Sequence, residues 1–406
     1  MRRKCPLPSR VCPLPSIVRL VAAMQLVGCA AEGPADGPLV AQRDTIGDTI
    51  IVRTVSGSVW ERPLSFREDL RIGVLEGSEV ESFGAIQGVA VGADGSILVL
   101  DYQGPVLRQF DSTGRYLRDF GRRGQGPGEY QQRVWGLVVG NHGQVFLPDV
   151  NNGRINVYSG SGEARKAILG MERLIGGNRP IAVDTTGHIY VNVFVVDFAE
   201  RRREQGSPPR PLVGLLHLDR SGAIIDTIFP PEIDGPPESA VWALHPYGHI
   251  VVGSNTTYTF EIRRQEGSVV RVSLPHTPVP FSDAGLATRA EDPDVIRARE
   301  ADRLGGEPQD AQPEFRPAYN RFHFGSDGRI WVQRYIVDEG SSSEQASSSR
   351  FLQATAFDVF EEDGTYLGFA RFPQNARPLV FTSTHVYAVE TGEYDEQYVV
   401  RYRLGN

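Results

Sequence analysis

The chain has 406 residues, with 42 basic against 50 acidic side chains and a formal net charge of −8. This acidic balance disfavours nucleic acid and anionic lipid surfaces as partners. All three cysteines, Cys5, Cys12 and Cys29, lie near the N-terminus, so packing and hydrogen bonds, rather than disulfides or a cysteine-ligated metal, must stabilise the rest of the chain.

Residues 1–28 have the order of an export signal. They carry five basic residues and no acidic one, and they end in the apolar run Leu20–Gly28. Nine residues are too few to span a bilayer as a helix, which needs about 20. Without this leader, 37 basic and 50 acidic residues remain, a formal charge of −13.

The leader ends in Leu26-Val27-Gly28-Cys29, which resembles the lipobox of bacterial lipoproteins at all four positions. The resemblance implies cleavage before Cys29, lipid attachment to its thiol, and a location in the bacterial cell envelope, facing the periplasm or the exterior. An ordinary secretory signal that contains a cysteine is the alternative. Residues 29–46 are then expected to be a tether and residues 47–406 the folded domain, because the tether region is rich in Gly, Pro and Ala.

Two stretches that begin at Gly88 and Gly136 repeat each other at an offset of 48 without a gap. Gly95 pairs with Gly143, and Asp101 with Asp149. Each copy alternates apolar and polar residues in four short runs separated by turn residues, which predicts four antiparallel strands. Four such strands form one blade of a β-propeller.

Further copies begin near Asp184, His245, Phe324 and Phe381, and the last one lacks its outer strand. Residues 70–83 match the outer strand of the first copy. We therefore expect an all-β, six-bladed propeller in which the N-terminal segment, helped by residues 49–54, completes the last blade and closes the ring. Closure removes two sheet edges that would otherwise remain unpaired.

The glycine-rich stretch Asp119–Tyr130 (DFGRRGQGPGEY) follows the predicted outer strand of the first copy. A Walker loop would need Gly-Lys-Ser/Thr after the glycines, and a dinucleotide fingerprint would need a following helix. Neither is present, so the stretch is interpreted as the crossover from one blade to the next.

These residues resemble the six-bladed propellers related to NHL-repeat proteins, in particular a group of exported bacterial lipoproteins. The resemblance covers roughly residues 48–406, and its motifs are Phe120–Tyr130, Asp327–Val332 and Phe357–Gly368. The chain departs from the NHL pattern at Val106, where an arginine is usual, and keeps the arginine at Arg154. What the resemblance implies is the architecture, since most members have no established activity.

Three insertions are predicted on one face of the ring, the face that holds the crossovers and the loops between second and third strands. We call it the insertion face, and the opposite face, which holds the hairpin turns, the hairpin face. The insertions are residues 198–211, residues 340–349 and a crossover, 281–317, with a helix that Asp292 can cap. Long loops on a rigid scaffold commonly carry binding sites.

Strand ends place a mixture of aromatic, basic and acidic side chains around the channel mouth on the insertion face. The candidate ligand-binding residues are Asp101, Trp135, Asp149, Asn152, Trp242, Arg321 and Arg334. The alternative is that the two tryptophans pack between blades and the two aspartates bond to their own loop backbones.

The main hypothesis is a lipid-anchored binding or scaffold module for a peptide, glycan or protein partner, with no catalytic residues, metal or cofactor. The alternative is a lactonase-like, esterase-like or lyase propeller enzyme with calcium or zinc at the channel mouth. Asp101, Asp149, Asn151 and Asn152 could supply part of such a shell. Hydrolase and zincin motifs are absent from the sequence.

Other polar residues are interpreted as solvated. His142, His188 and His249 adjoin hairpin turns, and turn residues exposed to water are expected there rather than metal ligands. Arg201–Arg203 is flanked by acids and is expected to be a solvated loop rather than an anion site.

Overall fold

The computed structural model describes residues 37–103, 106–131, 134, 136–140, 142–170, 181–195, 212–235, 239–278, 315–334 and 355–405. These residues form the six blades of a β-propeller, which confirms the predicted all-β architecture. Within these ranges the helical residues are the 3-10 turn Val150–Asn152 and Ser239, and no helix there has the length and apolar character of a membrane span.

The strands are numbered in chain order. The N-terminal region contains β1 (Val40–Ile46), β2 (Thr49–Ser56) and β3 (Ser65–Ile72). Blade 1 contains β4 (Ile86–Val91), β5 (Ile97–Asp101), β6 (Val106–Phe110) and β7 (Tyr116–Phe120), and it is followed by the short strands β8 (Arg122–Arg123) and β9 (Glu129–Tyr130). Blade 2 contains β10 (Val138–Val139), β11 (Val145–Asp149), β12 (Arg154–Tyr158) and β13 (Ile168–Leu169).

The remaining blades follow the same order from the channel outward. Blade 3 contains β14 (Ile181–Val183), β15 (Ile189–Val195), β16 (Leu212–Leu218) and β17 (Ile224–Ile228). Blade 4 contains β18 (Ala240–Leu244), β19 (Ile250–Ser254), β20 (Thr259–Arg263) and β21 (Val269–Ser273). Blade 5 contains β22 (Tyr319–Phe324), β23 (Ile330–Arg334), β24 (Ala356–Phe360) and β25 (Tyr366–Arg371). Blade 6 contains β26 (Ala376–Phe381), β27 (His385–Thr391) and β28 (Gln397–Gly405), followed by β3 as its outer strand.

Apolar clusters fill the space between neighbouring blades. Between blades 1 and 2, Leu100, Leu107 and Phe120 pack with Val145 and Tyr158, and all five side chains are buried. Burial of one such side chain stabilises the fold by about 1.5–3 kcal/mol before conformational entropy is counted. Because each cluster draws on two blades, a blade is stable only beside its neighbours.

The ring closes as the sequence predicts. Strand β3 pairs antiparallel with β28, with Ile72 opposite Val399. Arg71 Nη2 donates to the carboxylate of Glu390 at 2.6 Å, and Arg401 Nε donates to Asp69 at 2.7 Å. These ion pairs fix β3 to the hairpin formed by β27 and β28.

The expectation that residues 49–54 help to complete the last blade is wrong. Strand β2 instead runs parallel to β21 and extends blade 4, and β1 pairs antiparallel with β2. Burial of an apolar side chain accounts for this placement, because Val52 is buried in the cluster between blades 4 and 5. Strand β1 also occupies Val40–Ile46, within the stretch that the sequence predicts as tether.

Residues between β2 and β3 lie along the outer edge of blade 5. The amide of Trp60 donates to Leu367 O at 2.8 Å, and that of Leu64 donates to Phe369 O at 2.7 Å. Residues 37–72 therefore extend blade 4, run along the outer strand of blade 5 and form the outer strand of blade 6 in succession, and we call them the N-terminal belt.

Candidate ligand site on the insertion face

The glycine-rich stretch 119–131 forms a corner between blades 1 and 2, as its interpretation as a crossover predicts. After β7 the chain turns so that β8 runs parallel to β9, with Arg122 opposite Glu129. Gly128 has φ +73°, and a Cβ there would lie 2.5 Å from the Cβ of Ala164. Glycine is therefore required both by the left-handed backbone and by the contact.

Side chains of blade 2 hold the corner from behind. Arg154 Nη2 donates to Gly126 O at 2.7 Å and to Glu129 O at 2.8 Å. The Tyr158 hydroxyl donates to Gly128 O at 3.0 Å. Asn156 Nδ2 donates to Glu129 O at 3.2 Å. These bonds satisfy carbonyls that a turn without regular pairing would leave open, and they make the corner rigid.

The carboxylate of Glu129 folds back into the same corner. It accepts from the amide of Gly126 at 2.8 Å and from Arg122 Nε at 2.7 Å. The Gly126 hydrogen bond and the Arg122 guanidinium lower the pKa of Glu129 from its ordinary value. The carboxylate of Glu129 therefore offsets the charge of Arg122, whereas no carboxylate of the described residues pairs with Arg123.

A pocket of about 320 Å³ opens on the outer side of this corner, lined by Arg123, Gly124, Gln125, Gln131 and Asn151. The Arg123 guanidinium is exposed and has no hydrogen bond or ion pair with any part of the chain that the structure describes. Gln131 Nε2 donates to Asn152 Oδ1 at 3.0 Å, which fixes one wall. The pocket therefore combines one unpaired cation with side-chain amides on a rigid backbone.

The predicted residues Asp149 and Asn152 lie directly behind this pocket. Asn152 donates from its backbone amide to Asp149 Oδ1 at 3.3 Å and from Nδ2 to Asp149 Oδ2 at 2.6 Å. Asn152 Nδ2 also donates to Gly124 O at 3.1 Å. Asp149 is completely buried, and burial raises its pKa. Both residues support the loop and do not line the pocket.

Asp101, at the matching position of blade 1, is likewise engaged by backbone amides. Its carboxylate accepts from Gly84, Ala85 and Gln103, each at 3.0 Å. These contacts agree with the alternative hypothesis, in which the two aspartates bond to loop backbones.

The other predicted residues occupy different surroundings. Trp242 lies on β18 opposite Val252 and is half-buried, and Arg321 lies on β22 and is exposed. Arg334 Nε lies 3.5 Å from the buried carboxylate of Asp358. Trp135 lies outside the described residues, as do the insertion 198–211, the insertion 340–349 and the helix predicted after Asp292.

Asp358 is the centre of a buried polar cluster that sequence reasoning missed. It accepts from the Tyr258 hydroxyl at 2.5 Å and from the Tyr366 hydroxyl at 2.8 Å. Burial raises the pKa of both tyrosines, so they remain donors at neutral pH. The cluster joins blade 4 to blade 5 and orients Arg334. Tyr258 and Asp358 are 100 residues apart, so no local pattern connects them.

The central channel contains a second cavity, of about 330 Å³, towards the hairpin face. All six inner strands contribute to its wall, mainly with aliphatic side chains. One residue from each blade, in chain order, is Val91, Val139, Val183, Leu244, Phe324 and Val380. His245, also in its wall, donates from Nε2 to Gly328 O at 2.8 Å and accepts from the Tyr247 amide. Apolar side chains make up most of this lining, and Asp184 and His245 are its polar side chains.

The histidines beside the hairpin turns differ from one another. His142 is exposed as predicted, but His188 and His249 are partly buried, so the prediction of solvated side chains is wrong for them. The cause for His188 is its contact with His217 Nε2 at 2.9 Å. Among the described residues, no group of three or more His, Cys, Asp or Glu side chains is placed to hold a metal ion.

No family model and no curated protein matches this chain. Similar solved structures include a member of the DUF4221 family from Bacteroides vulgatus, at 10% identity and a TM-score of 0.49, covering 84% of this chain and 98% of that one. A protein from Bacteroides fragilis that is inferred to be exported has 11% identity and a TM-score of 0.47, covering 84% and 95%. A gluconolactonase from Xanthomonas campestris has 14% identity and a TM-score of 0.42, covering 91% and 98%. Likeness at these identities concerns the fold alone.

Proposed function

We propose that this chain is an exported, lipid-anchored binding module that engages a peptide, glycan or protein partner through its insertion face. The observation that carries the proposal is the corner pocket, where the unpaired Arg123 guanidinium and the amides of Gln125, Gln131 and Asn151 surround about 320 Å³. An unpaired cation beside amide donors and acceptors recognises polar ligands without any chemical step.

The rigidity of the corner supports a role in recognition. Arg154, Asn156 and Tyr158 hold its carbonyls, so the pocket groups are positioned before a ligand arrives. Preorganisation reduces the conformational entropy that binding costs. The Arg123 guanidinium and the side-chain amides can bind a polar ligand directly, so recognition in the pocket requires no cofactor.

The membrane attachment in this proposal rests on Cys29 and its lipobox-like sequence. A charge of −13 after removal of residues 1–28 makes the domain repel anionic headgroups and nucleic acid. The lipid would therefore be the sole contact with the membrane, and the insertion face would remain available to partners.

Site-specific photo-crosslinking in intact cells tests this proposal. A benzophenone amino acid is placed at Gln125 in the corner pocket and, as a control, at the exposed Thr185 on the hairpin face, both in the full-length chain. We expect a discrete adduct from position 125 and none from position 185. Equal labelling from both positions, or labelling from 185 alone, would contradict a binding role of the insertion face.

A further inference from the structure

We infer that the corner pocket binds an acidic saccharide, a sugar chain that bears carboxylates. This inference rests on the proposed function and names the ligand class of the same site. Its first support is the lining, whose described residues are Arg123, Gln125, Gln131, Asn151 and a glycine. None of the described residues that line the pocket is aliphatic or aromatic, and a peptide anchor normally needs an apolar contact.

The local charge is positive although the protein is acidic. Arg122 is paired with Glu129. Arg123 and Arg154 have no ion pair with any carboxylate of the described residues. Arg154 donates to carbonyls inside the corner, so its charge also lies behind the pocket.

The arginine side chain itself favours a carboxylate. A guanidinium presents parallel N–H groups that match the two oxygens of a carboxylate, and it remains charged at all relevant pH values. The neighbouring amides of Gln125, Gln131 and Asn151 can both donate to and accept from sugar hydroxyls. Together these groups fit a uronate residue, whose carboxylate and hydroxyls lie on one small ring.

The size of the pocket agrees with such a ligand. A volume of about 320 Å³ is at the small end of ligand sites in proteins, which measure roughly 300–1,000 Å³. The pocket is partly open to solvent, so a chain can continue beyond the bound residue. Arg123 is the one charged side chain among the described residues that line the pocket, so binding of an anion there should depend on it.

The test measures binding of the full-length, detergent-extracted chain to fluorescent oligogalacturonate and to the same oligosaccharide after reduction of its carboxylates. Arg123→Gln should weaken binding of the acidic sugar about tenfold or more, the value of one charge-assisted hydrogen bond. Arg67→Gln is the matched control, because Arg67 is exposed on β3 and does not line the pocket. It should change the Kd by less than about threefold.

Three results would overturn the inference: equal affinity for the acidic and the reduced sugar, unchanged affinity in Arg123→Gln, or tighter binding of a peptide with a free C-terminal carboxylate. Thermal unfolding of both variants shows whether the fold is retained. If position 125 still gives a crosslinked adduct while oligogalacturonate does not bind, the ligand class is wrong and the binding role stands. If neither is observed, both proposals fail.

Discussion

Glu390, on β27, connects the last hairpin to β3, the strand that closes the ring. Its replacement by glutamine tests whether this closure limits stability. Its side chain is buried, and its carboxylate accepts from Arg71 Nη2 at 2.6 Å and from the Tyr402 hydroxyl. Burial raises the pKa of Tyr402, so this hydroxyl remains a donor. Glu390→Gln keeps the shape of the side chain and removes its charge.

The expected cost follows from these contacts. Glutamine retains one oxygen acceptor, but its amide group faces a donor, so one charge-assisted hydrogen bond is lost, which is worth about 1.5–3 kcal/mol. Arg71 keeps both bonds to Glu68, at 2.9 and 2.7 Å, and is not left unpaired. We therefore expect a loss of about 2 kcal/mol, which lowers Tm by a few degrees in a domain of this size.

Urea unfolding and amide hydrogen exchange measure this effect together. Glu393→Gln makes the same chemical change at an exposed position of the same hairpin and should alter stability by less than about 0.5 kcal/mol. The amides of Arg71 and Ile72 in β3 should exchange faster in Glu390→Gln than in Glu393→Gln. If the two variants are equally stable, or if β3 is not the strand that loosens, the reasoning on closure is refuted.

Three further predictions concern acid sensitivity, the corner and the anchor. Burial lowers the pKa of His245 to about 4 from an ordinary 6.5, so its contribution to stability is present above pH 6.5 and is lost as the pH falls towards 4. It amounts to about 3 kcal/mol. His245→Gln should flatten the dependence of the unfolding free energy on pH in this window, and an unchanged slope would contradict the assignment. Gly128→Ala should cost at least about 1 kcal/mol more than Gly143→Ala in chemical denaturation, because both have similar positive φ but only the former places a Cβ against Ala164. Equal costs would mean that the corner relaxes freely. Cys29→Ser should move the protein from the membrane to the soluble fraction in cell fractionation, and unchanged membrane association would argue against a lipid anchor.

The sequence predicts the blades well because each is a local unit whose turns recur at a fixed spacing. Gly95 and Gly143 both lie in left-handed hairpin turns, where φ is +79° and +74°. Closure by β3 is also predictable, since residues 70–83 repeat the outer strand and corner of blade 1. Strand β2 is different: its apolar residues suit any open sheet edge, and only the cluster around Val52 selects blade 4.

The candidate site is harder to predict from the sequence. Asp101 and Asp149 are suitable ligands by residue type, but whether their oxygens are free depends on amides from loops that fold against them. Arg122 and Arg123 are adjacent and identical in type, yet only the pairing of β8 with β9 places the former against Glu129. That distinction, on which the corner pocket depends, arises from tertiary structure.

The N-terminal belt also has a consequence for the order in which an exported chain can mature. In the proposed export, its residues would leave a translocation channel before the blades that they cover, and 332 residues separate Asp69 from Arg401, its partner on β28. Until blades 4 and 5 follow, Val52 and Leu64, both buried in the finished ring, lack the side chains against which they pack. Contacts of such long sequence separation form late and slowly. If export occurs as proposed, these side chains must be kept from aggregating until the later blades emerge, a requirement that a holdase could meet.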